Sequence, residues 1–308
     1  MTKELPLISI VIPVYNREIF VAEAIDSALE QTYPNKEIVV IDNQSTDSTW
    51  EVLKSYQQRF PNKIRIFQNE SNIGPVLNWK KGFELSKGEY IKLLFSDDLI
   101  APSFLSSTYT LFDDETAFVL SGVKIIDDST GKTLTQLIFQ NTSANAYLHD
   151  ILLYNQHEFP VSPGAALFRK KDLLNALTLE IKNTDGLVHI KNGAGIDLLL
   201  YLITAARYDK IKSCNEYLCT FRAHEGSITI SSGPELFLYY AWAMYNFIRE
   251  YKPSMLSRFK ARTVLFKIRY KNNYENLYSS LENIKISYLF FIQKSYFILK
   301  KRLFFFLS

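Results

Sequence analysis

Two adjacent carboxylates, Asp97 and Asp98, end the run Tyr90-Ile91-Lys92-Leu93-Leu94-Phe95-Ser96. A run of this composition, entered through Gly88, reads as a buried strand. Burying a carboxylate costs several kcal/mol unless it is paired or meets a cation. The pair therefore belongs at the strand's carboxyl end, where open sheets keep their ligand crevice. Adjacent carboxylates in that place suit a hard divalent cation, since Mg2+ takes one or two carboxylates together with substrate phosphates. Asp42 ends a similar run, Glu37-Ile38-Val39-Val40-Ile41, and Pro13-Val14-Tyr15-Asn16 ends another. Asp197 follows Gly193-Ala194-Gly195-Ile196 at a helix start. It reads as a capping or first-turn acid, although the two glycines also suit an approach that turns a carboxylate into a cleft. Asp185 competes with it, and Asp172 reads as a surface helix start. His224, in Arg222-Ala223-His224-Glu225-Gly226-Ser227, reads as a polar loop residue whose imidazole can ligate a metal or donate to phosphate.

These groups need elements to carry them. Leu7 to Pro13 is a strand covered on both faces, ending near the proline, which lacks a ladder donor. Val21, Ile25, Ala28 and Leu29 recur at helical spacing and stop before Pro34. The strand ending in Asp42 comes next. A helix with the stripe Trp50, Leu53 and Tyr56 follows, capped by Asp47 or Ser48, with capping-box spacing in Ser48-Thr49-Trp50-Glu51. Glu18 is expected to favour the dipole of the helix it opens. Ile64-Arg65-Ile66-Phe67 is a third strand, and a helix through Val76, Trp79 and Phe83 leads to the fourth. Strand and helix alternate, which predicts a βαβ series and a parallel sheet with the candidate groups on one rim. Beyond Asp113, strands are expected over 117–126, 162–169 and 211–221, with a helix from Leu198 to about Ala206.

The chain has 308 residues, 47% hydrophobic and 22% charged, ordinary for a globular protein with a sizeable core. Cys214 and Cys219 are the only cysteines, which argues against a disulfide framework and suggests a reducing compartment. The N-terminal residues lack a signal-peptide pattern, and no window holds 18 uncharged apolar residues, so a cytoplasmic protein is expected. From residue 255 onward there are eleven Lys/Arg against two Glu, so the tail is a separate electrostatic object. Its basic residues alternate with Phe and Tyr. That pattern suits nucleic acid, a helix packed on the core with a solvated basic face, or an interfacial helix on anionic lipid. The last is favoured for 285–308, because Phe304-Phe305-Phe306 beside Lys300-Lys301-Arg302 is hard to hide in water; no nucleic-acid partner is expected.

Ile8-Ser9-Ile10-Val11-Ile12-Pro13-Val14-Tyr15-Asn16-Arg17-Glu18 resembles the opening of the family 2 inverting glycosyltransferases. So do Ala28 to Pro34 and Glu37 to Thr49; Asn72-Ile73-Gly74, Lys87-Gly88-Glu89-Tyr90 and Phe95 to Pro102 continue the match in order, almost continuously over 7–105. The resemblance implies an α/β fold of GT-A type. Its features are a mostly parallel central sheet flanked by helices, a Rossmann-like nucleotide half and a helical C-terminal extension. The expected domains are 1–232, with a nucleotide-sugar half to about 105 and an acceptor half after it, and 233–308. The implied donor is a nucleotide-diphosphate sugar, a UDP-sugar by default, held by Pro13, Val14, Tyr15, Asp42, Asn72, Gly74, Asp97 and His224. Asp98 would hold a divalent metal, Mn2+ or Mg2+, and Asp197 would be the catalytic base. The acceptor would be a carbohydrate or a lipid-linked one, in surface polysaccharide or oligosaccharide synthesis. Many members carry an acid two positions before Asp97, where this chain has Phe95. Many also pair the base with a second acid, where this chain has Ile196. A catalytically inactive nucleotide-sugar-binding subunit and a nucleotidyltransferase are the rival readings.

Overall fold

The computed structural model describes residues 4–154, 159–160, 162–179, 193–227 and 236–269. His157, Glu158, Asp185 and the stretch 285–308 lie outside them. The strands in chain order are β1 (Ile8–Val14), β2 (Lys36–Asp42), β3 (Ile64–Gln68), β4 (Tyr90–Leu93) and β5 (Leu99–Ile100). Then come β6 (Thr116–Asp127), β7 (Thr133–Leu137), β8 (Thr142–Ser143), β9 (Ala166–Arg169) and β10 (Lys210–Ala223). Between them lie the helices α1 (Val21–Leu29), α2 (Thr49–Arg59), α3 (Pro75–Leu85), α4 (Phe104–Tyr109), α5 (Ala144–His149), α6 (Lys170–Ala176) and α7 (Ile196–Ala205). Two more follow β10: α8 (Leu236–Tyr251) and α9 (Leu256–Arg269). By internal contacts the chain divides into two compact units, Met1–Pro253 and Ser254–Ser308. The helix α8 falls in the first unit.

The strands form one mixed sheet in the order β3-β2-β1-β4-β9-β6-β10-β5, with β7 also paired to β6 and β8 to β10. β1, β2, β3 and β4 pair in parallel, as do β6 and β10, while β9 runs antiparallel between β4 and β6. The first three strands step outward from β1 in one direction, and β4 lies on its other side. The crevice between the carboxyl ends of β1 and β4 is therefore the topological switch point, the usual ligand position in such sheets. Register aligns the rim: Val14 lies opposite Asp42, and Asp42 opposite Gln68. β4 leaves β1 after the pair Val11 and Leu93, so the chain through Phe95 to Asp98 is free to turn over the crevice. For the same reason β1 continues through Pro13 to Val14, one residue beyond the expected end: there it pairs only with β2.

All seven residues of β1 are buried, as a strand inside a covered sheet requires. The helix α3 presses onto this layer at Gly82, where a Cβ would meet Val11 Cγ1 at 2.5 Å and Ile41 Cδ1 at 2.7 Å. Gly82→Ala would gain up to about 1 kcal/mol of helix propensity. Forcing a methyl between two fully buried side chains costs about 1–3 kcal/mol. A net loss is therefore expected, read as a lower denaturant midpoint with an unchanged slope.

Of the two candidates for the cap of α2 it is Asp47 that serves, and two further local expectations, for Glu18 and Asp172, are corrected. Ser48 precedes α2 but its side chain makes no capping bond. Instead Asp47 Oδ1 accepts from Thr49 N at 3.0 Å, and Glu18 Oε2 reaches from the β1 loop to accept from Ser48 N at 2.8 Å. Glu18 therefore serves the start of α2 rather than the dipole of α1. Asp172 is buried, with Arg169 3.7 Å away and the Tyr208 hydroxyl donating to it at 2.9 Å, so it is not a surface helix start. Its burial is tolerable because a guanidinium and a phenol attend the carboxylate.

Candidate active site

The loop after β1 is sewn to the loop after β2. Asn16 N donates to Ser45 Oγ at 2.9 Å, Thr46 N to Asn16 Oδ1 at 2.8 Å, and Arg17 N to Thr49 Oγ1 at 2.8 Å. Asn16 and Gln44 take left-handed backbone angles, φ 51° and 61°, at the two bends. Asp42, fully buried, accepts from Ser45 Oγ at 2.5 Å and from Gln68 Nε2 at 2.8 Å. Its carboxylate thus holds the loop that follows it, the plainer of the two roles open to an acid after a strand. Pro13 and Val14 are buried in β1, whereas the Tyr15 ring is 40% exposed at its end. Asn72 accepts from Asn43 Nδ2 at 2.8 Å and from Gly74 N at 3.0 Å, and so shapes the entry to α3. Behind it Asn69 donates to Asn43 and Asn78, both at 2.9 Å. This amide ladder satisfies the polar groups buried under the rim.

Asp97 and Asp98 lie in the turn after β4 and face different partners. Asp97 Oδ2 has Arg17 Nε at 3.3 Å and His224 Nε2 at 3.1 Å. His224 stacks on Phe20 at 4.5 Å, and Ser227 Oγ closes its turn by accepting from His224 N at 3.1 Å. Asp98 Oδ1 accepts from Arg222 N at 3.1 Å, while the Arg222 guanidinium donates to the Asp97 carbonyl and pairs with Glu23 at 2.7 Å. The expected convergence of Asp97, Asp98 and His224 is thus present in the geometry. Burial, and next the charge of Asp97, push the Asp98 carboxyl well above the usual range. Removing that excess of negative charge is what a bound divalent cation would do. Among the described residues there is no cluster of three or more His, Cys, Asp or Glu side chains placed to hold a metal. A Mg2+-type site that draws on donor phosphates does not need three, so the residues present fit such an ion.

Asp197 stands in the first turn of α7. Gly193 and Gly195 both have positive φ, 71° and 84°. A Cβ on Gly193 would meet the Trp79 ring at 2.7 Å, and Trp79 packs edge-on against Phe95 at 5.7 Å. One turn on from Asp197, the Tyr201 hydroxyl donates to Ser162 O at 2.8 Å, and Gly164 lies against Phe95 and Phe221. Two routes of packed residues thus join the start of α7 to the turn that carries Asp97 and Asp98. Burial pushes the Asp197 carboxyl up to about 7, against the lowering effect of hydrogen bonds from the Tyr240 hydroxyl and Leu198 N, each 2.7 Å long. A carboxylate poised there can take a proton near neutral pH.

The family model described as "Glycosyl transferase family 2" matches residues 9–175, more than half of the chain. The chain belongs to that family. Curated relatives include the glycosyltransferase GlyG of Streptococcus pneumoniae serotype 4, 26% identical over 72% of this chain and 72% of its own length. The poly(ribitol-phosphate) beta-glucosyltransferase of Bacillus spizizenii is 33% identical over 46% of this chain, which spans only 23% of that protein. Among solved structures, residues 1–349 of S. aureus TarS in complex with UDP-GlcNAc superpose with a TM-score of 0.64 at 20% identity, over 91% of this chain and 76% of that one. That likeness shows the shared α/β fold.

This glycosyltransferase carries three polar groups that the sequence reading passed over. Lys92 was read within an apolar run, yet its ammonium is fully buried, donating to Gly164 O, 3.6 Å from Cys219 Sγ and 4.2 Å above the Phe104 ring. A lysine inside a buried strand pattern is itself an anomaly that marks a charge partner nearby. Arg17 turns back to Asp97, which its place before a helix does not reveal. Tyr240 reaches Asp197 from α8, and nothing separates it in sequence from the other aromatics of that helix.

Proposed function

We propose that this glycosyltransferase moves a sugar, with inversion, from a nucleotide-diphosphate sugar to a hydroxyl of a carbohydrate or lipid-linked acceptor in cell-surface polysaccharide synthesis. The single observation behind the reading is the packing that joins the start of α7 to the turn of Asp97 and Asp98, Gly193 lying against Trp79 and Trp79 edge-on against Phe95. The relatives named for poly(ribitol-phosphate) glucosylation and for UDP-GlcNAc binding support the substrate class. UDP is the nucleotide to test first.

In this reading the exposed Tyr15 ring and the loop held by Asp42, Asn72 and Gly74 receive the nucleoside. Asp97 holds Arg17 and His224, the groups that would meet the diphosphate. Asp98 would hold a Mn2+ or Mg2+ ion, which offsets the charge gained by the departing nucleoside diphosphate. Asp197 takes the acceptor's proton as its oxygen bonds to the anomeric carbon and the bond to the diphosphate breaks. In-line attack on the face opposite the departing diphosphate gives inversion without a covalent sugar–enzyme intermediate.

A panel of nucleotide sugars, screened by calorimetry with and without Mn2+, should yield one that binds better with the ion and is then slowly hydrolysed. Binding of a nucleoside diphosphate with no sugar release from any member of the panel, with or without acceptor extracts, would favour the inactive-subunit reading.

A further inference from the structure

A side chain of another helix reaches the Asp197 oxygen that Leu198 N does not take. Tyr240 belongs to α8, separated from Asp197 by 43 residues, yet its hydroxyl ends 2.7 Å from Asp197 Oδ2. α8 packs along α7, which places the phenol there. We infer that Tyr240 is a positioning residue: its hydroxyl aims the Asp197 carboxylate and favours its ionised form. The inference rests on the reading of Asp197 as the base for its meaning in catalysis, though not for its test.

The chemistry is that of an ion met by a donor. Leu198 N takes Oδ1 at 2.7 Å and Tyr240 takes Oδ2 at the same distance, so a fixed donor orients each oxygen of the carboxylate. Burial alone drives a carboxyl towards its neutral form, and hydrogen bonds to the anion oppose it. Among the described residues the titratable groups facing Asp197 are two phenols, Tyr240 from α8, pushed well up by burial and then by the Asp197 charge, and Tyr201 from α7 itself, pushed well up chiefly by burial. Both stay protonated at neutral pH. Tyr240 therefore acts as a donor throughout the working range.

Tyr240→Phe keeps the ring that packs on α7 and removes only the donor. The primary readout is stability against pH, with Asp197→Asn made in both backgrounds so that the difference isolates the titration of Asp197. In the Tyr240→Phe background its midpoint should rise by about one pH unit. The acid limb of kcat/KM should rise with it, so that the activity lost at pH 6 is about tenfold greater than that lost at pH 9. A lesion of packing alone would lower activity by the same factor at every pH. An unmoved stability midpoint overturns the inference, whatever turnover does. A moved midpoint with an unmoved acid limb leaves Tyr240 as the partner of Asp197 and instead removes Asp197 from the role of base.

Discussion

Asp197→Asn should lower turnover by about 10²–10⁴-fold with nucleotide binding intact, the usual share of a positioned general base. Asn keeps the size of the side chain, its one oxygen can still accept from Leu198 N, and its amide NH2 can donate to the Tyr240 hydroxyl, which turns to accept, so the start of α7 should hold its shape. Only the ability to take a proton goes. Stability should move the other way. The native carboxyl is raised from 3.8 to about 7, chiefly by burial. A carboxyl whose pKa is higher folded than unfolded contributes stability below about pH 4 and loses it as pH climbs through 7. The Asn variant has no such loss. It should therefore gain on the parent between pH 4 and 7 and hold the gain above, by at most about 4 kcal/mol. Thermal melts at pH 5 and pH 8 measure this. Near-parental turnover of the variant with saturating donor would place the base elsewhere.

Asp98→Asn should cut turnover a hundredfold or more and abolish the effect of divalent ions on donor binding, since a Lewis acid supplies several kcal/mol of transition-state stabilisation. Asn still offers an oxygen to Arg222 N, which lies 3.1 Å from Asp98 Oδ1, so the join between the β4 turn and β10 should survive. The repulsion between Asp97 and Asp98 disappears with the charge. The variant should then be at least as stable as the parent while its calorimetric Mn2+ response is lost. An unchanged Mn2+ titration would remove Asp98 from the ion's coordination.

Much of this protein is written in local pattern. Apolar runs of strand length, each ending in a polar group, marked β1 to β4, and alternation with helices marked a parallel series. Because a parallel series forces like ends together, the rim of Asp42, Asp97 and Asp98 follows from the sequence by itself. The helix start at Asp197 was legible too, from its two glycines. Tertiary structure alone decided the partners. The donor on Asp197 comes from 43 residues away, the imidazole on Asp97 from 127, and the acceptor for Ser48 N at the start of α2 from the distant Glu18. The burial of Lys92 and Asp172 belongs with these. Periodicity reports which face of an element meets solvent, an average over many residues, and survives any single exception. A buried charge is such an exception, settled by which side chain another element brings within 3 Å, and that depends on sheet order and loop path rather than on neighbours in the chain.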